Sequence, residues 1–159
     1  MFSKSTEYAL RATIFIAQKS SKEHKLGLAA IAEAIDSPRS FTAKILQQLT
    51  KGNDFIVSTP GPQGGFYLPE NSKDLPVRKV LELMGESDRI DQCVLGLKQC
   101  SDTNPCPLHA QYKSIKMQLR DLFDRAPIRQ LASGVEEGMA SINNVVLRKK
   151  VNAKMKSSG

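Results

Sequence analysis

Residues 28–51 read LAAIAEAIDSPRSFTAKILQQLTK, and this stretch decides the fold. Its first half repeats apolar side chains every three or four residues, which is the spacing of one buried helix face. Ser37 then supplies an N-cap and Pro38 a first-turn proline for a second helix that runs to about Lys51. Only Asp36-Ser37 link the two helices, and so short a linker predicts a helix-turn-helix. The apolar positions are Leu28, Ile31, Ala32 and Ile35 in the first helix, and Phe41, Ile45, Leu46 and Leu49 in the second.

The second helix has a polar face opposite its apolar stripe. A rotation of about 100° per residue puts Arg39, Ala43 and Gln47 on that face, with Ser40 and Lys44 beside them. Arginine and lysine reach guanine edges or phosphates, serine donates to a phosphate near a helix N-terminus, and glutamine reads adenine. The pattern therefore predicts a face that enters the major groove of DNA; the alternative is that the helix-turn-helix is a mere structural corner.

A β-hairpin is predicted directly after the second helix. Phe55 to Thr59 and Phe66 to Leu68 are β-rich runs on either side of the Pro/Gly loop Pro60 to Gly65. A hairpin in this position is a wing. Its tip has no basic side chain, so Gln63 and backbone N–H groups are its candidates for a phosphate contact.

Four further helices are predicted. Thr6 to Gln18 forms an amphipathic helix, and residues 77–84 form a short one that Gly85 caps. A heptad-like stripe before Pro127 favours a long dimerisation helix, and the alternative is that this stripe packs on its own domain. A weaker helix is predicted over Val135 to Leu147. The long helix has Tyr112, Ile115, Leu119, Leu122 and Ala126 on its stripe, and the first helix has Ala9, Leu10, Thr13, Ile14 and Ala17.

The length of 159 residues suits one compact domain with an appendage rather than two full domains. The predicted fold class is mainly α: a winged helix-turn-helix DNA-binding domain with a small β-hairpin wing and a long dimerisation helix. We divide the chain into the winged helix-turn-helix domain (1–85), a cysteine-bearing loop (86–108), the dimerisation helix region (109–135) and a C-terminal extension with a basic, disordered tail (136–159).

The formal net charge of +7 is concentrated at the C-terminus, because no acid follows Glu137. We interpret the tail as solvated, and a specific phosphate contact is the alternative. No stretch approaches the roughly 20 apolar residues that span a bilayer, and no signal peptide is found, so a cytoplasmic protein without a membrane partner is expected. The cations of the tail are Arg148, Lys149, Lys150, Lys154 and Lys156.

Three cysteines stand in the segment CVLGLKQCSDTNPCPLH, residues 93–109. Thiolates are soft ligands for iron or zinc, and Cys93, Cys100 and Cys106 can converge from one loop. Three thiolates cannot complete a site with four ligands, and His109 is the local candidate for the fourth. An iron-sulfur cluster, a structural zinc and metal-free redox thiols all remain open at this stage. An enzyme is not indicated, since His24 and His109 are the chain's two histidines and no nucleophile–base pair is convincing.

Taken together, the segments STEYALR (5–11), Ser37 to Leu49, GPQGG (61–65) and CPLH (106–109) resemble the Rrf-type family of winged helix-turn-helix transcription regulators, with its IscR/NsrR-like iron-sulfur members. The resemblance covers about residues 1 to 135. It implies a homodimer, paired through the long helix, that binds a partly palindromic double-stranded DNA operator. The implied function is a regulator whose operator affinity is set by a cluster that senses nitric oxide, redox state or cluster supply.

The resemblance also implies that Cys93, Cys100 and Cys106 hold the iron-sulfur cluster, with 2Fe-2S or 4Fe-4S undecided. Its fourth ligand would be either Glu7 of the partner subunit or His109. The alternative for Glu7 is an ordinary acid in a first helical turn.

The family's base-contacting positions fall on four residues of the second helix. Two departures concern the target sequence: Pro60 stands where the family's wing usually has an arginine, and Ala43 stands where one member has an acid. The base-contacting positions are Ser40, Phe41, Ala43 and Lys44.

Overall fold

The structure is a computed structural model that describes residues 1–52 and 54–144. The basic tail and the end of the helix predicted over Val135 to Leu147 lie outside the described residues. Within them the fold is mainly helical with one antiparallel hairpin, as predicted, and no described helix is long and apolar enough to cross a membrane. The elements are α1 (Lys4–Lys19), α2 (Leu28–Ala34), α3 (Arg39–Thr50), β1 (Val57–Thr59), β2 (Gly65–Tyr67), α4 (Glu70–Lys73), α5 (Arg78–Leu83), a 3-10 turn (Ser87–Ile90), α6 (His109–Arg125) and α7 (Ile128–Glu136).

Helix α1 lies at the centre of the core. Ala9, Ala12 and Ile16 have no exposed surface, and α2, α3, α5 and α7 all contact this helix. On the predicted stripe, Leu10 is half-buried and packs against the core, whereas Ile14 is only half-buried. Several helices rather than one pack against α1, so its buried face is not the single stripe that one helical spacing predicts.

The turn between α2 and α3 has a left-handed residue, Asp36, at φ 54°. Helix α3 begins at Arg39 with Pro38 at the N-cap and no side-chain cap, so the predicted N-cap at Ser37 is one residue too early. The N–H of Thr42 donates to the Pro38 carbonyl at 2.9 Å, which is the first intrahelical bond of α3. The buried residues of α3 are Thr42, Ile45, Leu46 and Leu49.

The wing is a two-stranded antiparallel ladder in which Val57 pairs with Tyr67. Leu26 adds a further bridge, since it and Phe66 exchange backbone hydrogen bonds at 2.9 and 2.8 Å. The first strand begins at Val57 rather than at Phe55 as predicted. Phe55 is 3% exposed and belongs to the core cluster, so packing rather than strand pairing fixes its place.

Gly64 closes the wing and leaves no room for a side chain. A Cβ on Gly64 would stand 2.1 Å from the Thr59 carbonyl oxygen. We expect Gly64→Ala to lower the free energy of unfolding by about 1–3 kcal/mol, because the hairpin backbone must shift. Chemical denaturation measures this change.

Gly134 provides the matched control for that substitution. A Cβ on Gly134, inside α7, meets nothing within 4 Å. Gly134→Ala should therefore stabilise the protein by about 0.5–1 kcal/mol through helix propensity. Equal unfolding midpoints for the two variants would show that the wing contact is absent.

Helices α6 and α7 differ sharply in burial. Helix α7 packs on α1 and buries Ile128 and Ala132, so the helix predicted over Val135 to Leu147 is placed too late in the chain. Helix α6 has no buried residue over its 17 residues. Ile115 and Leu122 of its stripe are 52% and 60% exposed, whereas Tyr112, Leu119 and Ala126 are half-buried.

Candidate functional site

The outer face of α3 is polar and open. Arg39, Ser40, Lys44 and Gln47 are exposed, and Ala43 is half-buried. Arg39 and Lys44 form no ion pair with any described residue, so both charges are free to meet a phosphate or a base. The face that the sequence predicts for the major groove therefore points outward; its contacts with DNA stay a prediction.

Phe41 lies at the edge of this face and is half-buried rather than fully buried as predicted. Its ring meets the ring of Tyr8 edge-on, with centroids 5.6 Å apart. Arg11 lies over the same Tyr8 ring at 5.0 Å and donates from Nη1 to the Ile35 carbonyl at 3.2 Å. These contacts fix the start of α3 against α1, whereas a base contact by Phe41 stays a prediction.

The wing tip exposes Gln63, Pro60 and Pro62. The N–H of Gly64 donates to the Gly61 carbonyl at 2.9 Å, so this backbone donor is not free for a phosphate. Sequence reasoning missed a cation beside the wing: Lys25 Nζ lies 6.0 Å from the centroid of the Tyr67 ring on β2. No pattern signals Lys25, because it comes from the polar loop before α2.

Tight turns bring the three cysteines together. The N–H of Gly96 donates to the Cys93 carbonyl at 2.9 Å, and Gly96 adopts φ 72°, which favours glycine. The N–H of His109 donates to the Cys106 carbonyl at 3.0 Å, and α6 begins at His109. The last turn of the loop is therefore continuous with the long helix.

The three thiol sulfurs lie within 4.8 Å of one another. The Sγ atoms of Cys93 and Cys106 are 3.6 Å apart. Cys106 is 8% exposed, and Cys93 and Cys100 are half-buried. The convergence that the sequence predicts is therefore present, and the role of the cysteines as ligands stays a prediction.

His109 lies beside the thiols, and its other ring nitrogen contacts a carboxylate that the sequence analysis did not identify. His109 Nδ1 lies 3.2 Å from Cys100 Sγ, and its Nε2 lies 2.9 Å from Asp102 Oδ1. Lys113 Nζ donates to both Asp102 oxygens at 2.8 Å. Asp102 lies in an aperiodic loop, so no spacing in the sequence singles it out.

The charge states of these groups follow from their partners. Hydrogen bonds from Lys113 and His109 lower the pKa of Asp102 to about 2, so this carboxylate is ionised and only accepts hydrogen bonds. In the neutral imidazole, the proton is then on His109 Nε2 and the lone pair of Nδ1 faces Cys100. This is the tautomer that a metal ligand requires.

The pKa values of Cys93 and Cys100 shift in opposite directions. The N–H of Leu97, helped by that of Leu95 and by the other two thiols, lowers the pKa of Cys93 to about 7 against the effect of burial. The N–H of Cys106 acts to lower the pKa of Cys100, but burial and the neighbouring sulfurs outweigh it, so this pKa is raised. Cys93 is therefore closer to its thiolate form at neutral pH than Cys100 is.

The donor set fits a thiophilic metal. In a tetrahedral site with metal–sulfur bonds of about 2.3 Å, neighbouring sulfurs lie about 3.8 Å apart. The distance of 3.6 Å between Cys93 and Cys106 matches this spacing. Cysteines bound to separate irons of a cluster must stand farther apart, so a cluster requires the loop to widen. Residues 94–99 and 101–105 are exposed.

Glu7 lies in the first turn of α1, where an acid is favoured by the helix dipole. Its Oε2 accepts a hydrogen bond from Lys4 Nζ at 3.3 Å. The ligand role that the resemblance implies concerns Glu7 of the partner subunit, and it stays a prediction.

A protein-family model and several known proteins match this sequence. The model of the family Rrf2, described as an iron-dependent transcriptional regulator, matches residues 2–134. A protein of Aquifex aeolicus (strain VF5), named as an HTH-type transcriptional regulator, is 30% identical over 139 residues, which is 86% of this chain and 94% of that protein. The HTH-type transcriptional regulator IscR of Pectobacterium atrosepticum is 26% identical over 129 residues, 81% of this chain and 77% of that protein.

A solved structure supports the fold alone. CymR (YrzC), the global cysteine regulator of B. subtilis, superposes with a TM-score of 0.65 at 17% sequence identity. The match covers 84% of this chain and 96% of that one.

Proposed function

Since the chain belongs to the Rrf2 family of iron-dependent transcriptional regulators, we propose that it is a cytoplasmic, homodimeric DNA-binding regulator whose operator affinity is set by an iron-sulfur cluster. The observation that carries this proposal is the convergence of three thiols at the start of an exposed helix. When bound, the cluster supplies an iron centre that reacts with nitric oxide or changes redox state, or that reports cluster supply.

The protein reads DNA through the outer face of α3. Arg39 and Lys44 bind guanine edges or phosphates, and Ser40 donates to a phosphate at the helix N-terminus. Gln47 reads adenine, and the small side chain of Ala43 lets the helix approach the bases. The remaining contacts are an apolar one from Phe41 and a phosphate contact from Gln63 in the wing.

The cluster is held by Cys93, Cys100 and Cys106. His109 is the fourth ligand that the geometry supports best, since its Nδ1 lone pair faces the thiols and Asp102 fixes the tautomer. Glu7 of the partner subunit is the alternative fourth ligand.

Helix α6 pairs with its twin in a second copy of the chain. Ile115 and Leu122 on its stripe are exposed, and so are apolar side chains of the cysteine loop, all of which a partner would cover. A symmetric pair presents two reading helices, so the operator is partly palindromic double-stranded DNA. The exposed apolar residues of the loop and its junction with α6 are Val94, Leu95, Leu97 and Leu108.

The cysteine site is coupled mechanically to this pairing helix. Lys116 donates to the Asp91 carbonyl at 3.1 Å, and Arg120 forms an ion pair with the Asp91 carboxylate. A change in the loop therefore moves α6 and, through it, the angle between the reading helices. For the regulator to change from mostly DNA-bound to mostly free of DNA, the two states of the cysteine site must differ by about 5 kcal/mol in their preference for the DNA-competent conformation.

A zinc-stabilised or metal-free thiol winged-helix module, which binds DNA or protein without a cluster, is the second candidate. The distance of 3.6 Å between Cys93 and Cys106 favours it, because that spacing already suits one ion. Anaerobic purification separates the two. A brown protein with iron and sulfide supports the cluster, and a colourless protein with one zinc per chain or no metal supports the module.

Arg39→Ala tests the reading face. We expect it to weaken binding to an operator obtained by selection from random duplexes by about tenfold or more, because a specific side-chain contact to a base is worth about 1–3 kcal/mol. Lys44→Ala should also weaken binding and lower the salt dependence if it meets a phosphate. Fluorescence anisotropy at several salt concentrations measures both.

Lys79→Ala is the control, since the charge of Lys79 already faces Glu82 at 3.6 Å on α5. It should leave operator affinity unchanged. The proposed reading face fails if Arg39→Ala and Lys44→Ala bind as tightly as the unaltered protein, or if no duplex is enriched in the selection.

A further inference from the structure

Two of the three thiols lie close enough to bond to each other. Cys93 Sγ and Cys106 Sγ are 3.6 Å apart, although 13 positions separate the two residues in the sequence. A disulfide holds its sulfurs at about 2.05 Å, so an approach of about 1.5 Å forms the bond. The turns of the cysteine loop have already brought the two ends together, and little further chain closure is needed.

The two thiols differ in their access to solvent. Cys93 lines an open groove of about 440 Å³ together with Asp91, Gln92 and Lys98. Cys106 is not among the described residues that line this groove, and it is only 8% exposed. A small oxidant that enters the groove therefore meets Cys93 before Cys106.

The third thiol has a different partner. Cys100 also lines the groove, and its Sγ lies within 4.8 Å of the other two sulfurs. It lies only 3.2 Å from His109 Nδ1, however, so the histidine ring engages this thiol. The pair that remains for oxidation is Cys93 with Cys106.

We propose that Cys93 and Cys106 are a peroxide-reactive pair that closes to a reversible disulfide when no metal occupies the site. The Cys93 thiolate attacks one oxygen of hydrogen peroxide, the O–O bond breaks, and a sulfenic acid and hydroxide form. Cys106 then attacks the Cys93 sulfur, so that the S–S bond forms and the S–O bond breaks. Two electrons pass from the thiols to the peroxide, and the two thiol protons leave in two water molecules.

This disulfide excludes a cluster from the site. It removes two of the three thiolates, and Cys100 with His109 alone cannot hold a cluster. This consequence rests on the function proposed above. A dithiol reductant exchanges with the disulfide and returns both thiolates, so the oxidation is reversible.

The test uses the full-length chain, freed of metal by a chelator and reduced with dithiothreitol under anaerobic conditions. After removal of the reductant, hydrogen peroxide should lower the number of free thiols from three to one per chain. The mass of the chain should fall by about 2 Da, because two hydrogen atoms are lost. Dithiothreitol should restore all three thiols. An unchanged thiol count would overturn the proposal.

Peptide mapping identifies the pair. Digestion with trypsin and with a protease that cleaves before aspartate places the three cysteines in separate peptides, residues 91–98, 99–101 and 102–113. We expect the first to be linked to the third within one chain. A link to the peptide 99–101, or between two chains, would contradict the assignment.

Two variants separate the roles of the thiols. Cys106→Ser leaves Cys93 without its partner, so dimedone should trap the sulfenic acid in the peptide 91–98 and no link should form. Cys100→Ser is the matched control, and it should form the link as fully as the unaltered chain does. Loss of the link in Cys100→Ser, or a link that persists in Cys106→Ser, would refute the pairing.

Failure of this inference is distinguishable from failure of the proposed function, because thiol pairing is measured without cluster or DNA. If the thiols pair but the reduced chain takes up no cluster from iron and sulfide, the proposed function fails and the pair stands. If the reduced chain takes up a cluster but its thiols do not pair, only this inference fails. Cluster uptake by the oxidised chain before dithiothreitol is added would refute the exclusion.

Discussion

Protein carrying Cys106→Ala should purify colourless under anaerobic conditions and lose all visible absorbance from the cluster. Cys106 is the most buried of the three thiols, and its sulfur lies 3.6 Å from that of Cys93. Its removal leaves two thiolates, which cannot retain a labile cluster that already has only three. Cys93→Ala should have the same effect. Absorbance spectra with iron and sulfide analysis measure the loss, and operator affinity should change in both variants.

Gln99→Ala is the matched control for this experiment. Gln99 is exposed in the same loop, next to Cys100, and its side chain offers no thiolate. It should keep full absorbance and unaltered operator binding. Full cluster absorbance in both Cys93→Ala and Cys106→Ala would refute the ligand assignment.

The combination of Ile115→Glu and Leu122→Glu should convert the protein to a monomer and weaken operator binding by about 10²–10⁴-fold. Both side chains lie exposed on the stripe of α6, where two copies would bury them. Four carboxylates at one interface repel each other, and a lone subunit loses the second half-site, which acts at high effective concentration in the dimer. Light scattering gives the mass, and anisotropy gives the affinity.

Met117→Glu tests whether a glutamate at any exposed apolar position of α6 would dissociate the dimer. Met117 is 60% exposed, as Leu122 is, but it lies about 200° around the helix from Ile115. It should leave both the dimer and the operator affinity intact. The pairing helix is assigned wrongly if the unaltered chain is already monomeric at micromolar concentration, or if Met117→Glu dissociates it as fully as the double variant does.

The helix-turn-helix was predictable because its apolar residues follow one helical period. Ile45 and Leu49 face the core as the spacing requires, and the polar face on the other side points outward. The N-cap of α3 was not predictable in this way. Ser37 has a side chain that is preferred at N-caps, but the turn contains the left-handed Asp36 and α3 begins one residue later. The geometry of the turn therefore outweighs the N-cap preference of Ser37.

The helix after α6 was misplaced for a different physical reason. Pro127 predicts the end of one helix, but it also stands at the N-cap of α7. Proline is disfavoured inside a helix and tolerated at the start of the next one. Burial of Ile128 against α1 then outweighs the weak apolar pattern further along the chain.

The three thiols and His109 of the candidate site were predictable from the sequence, whereas Asp102 and Lys113 were not. Thiols spaced along one short loop converge readily, and Cys93, Cys100 and Cys106 do so. The pairing of Asp102 with His109 depends on how the turns of an aperiodic loop close, and no residue spacing encodes that. The hydrogen bond that the N–H of Asn144 donates to Asp36 depends likewise on a contact between segments more than a hundred residues apart.

Helix α6 has no fully buried residue within one subunit, so the proposed pairing through it would tie the folding of the chain to the number of chains present. Once two copies associate through it, mass action makes each copy more resistant to unfolding as their concentration rises. Newly made or scarce subunits would then be the ones most open to proteolysis, so the amount of regulator in a cell would help to decide how long each molecule survives.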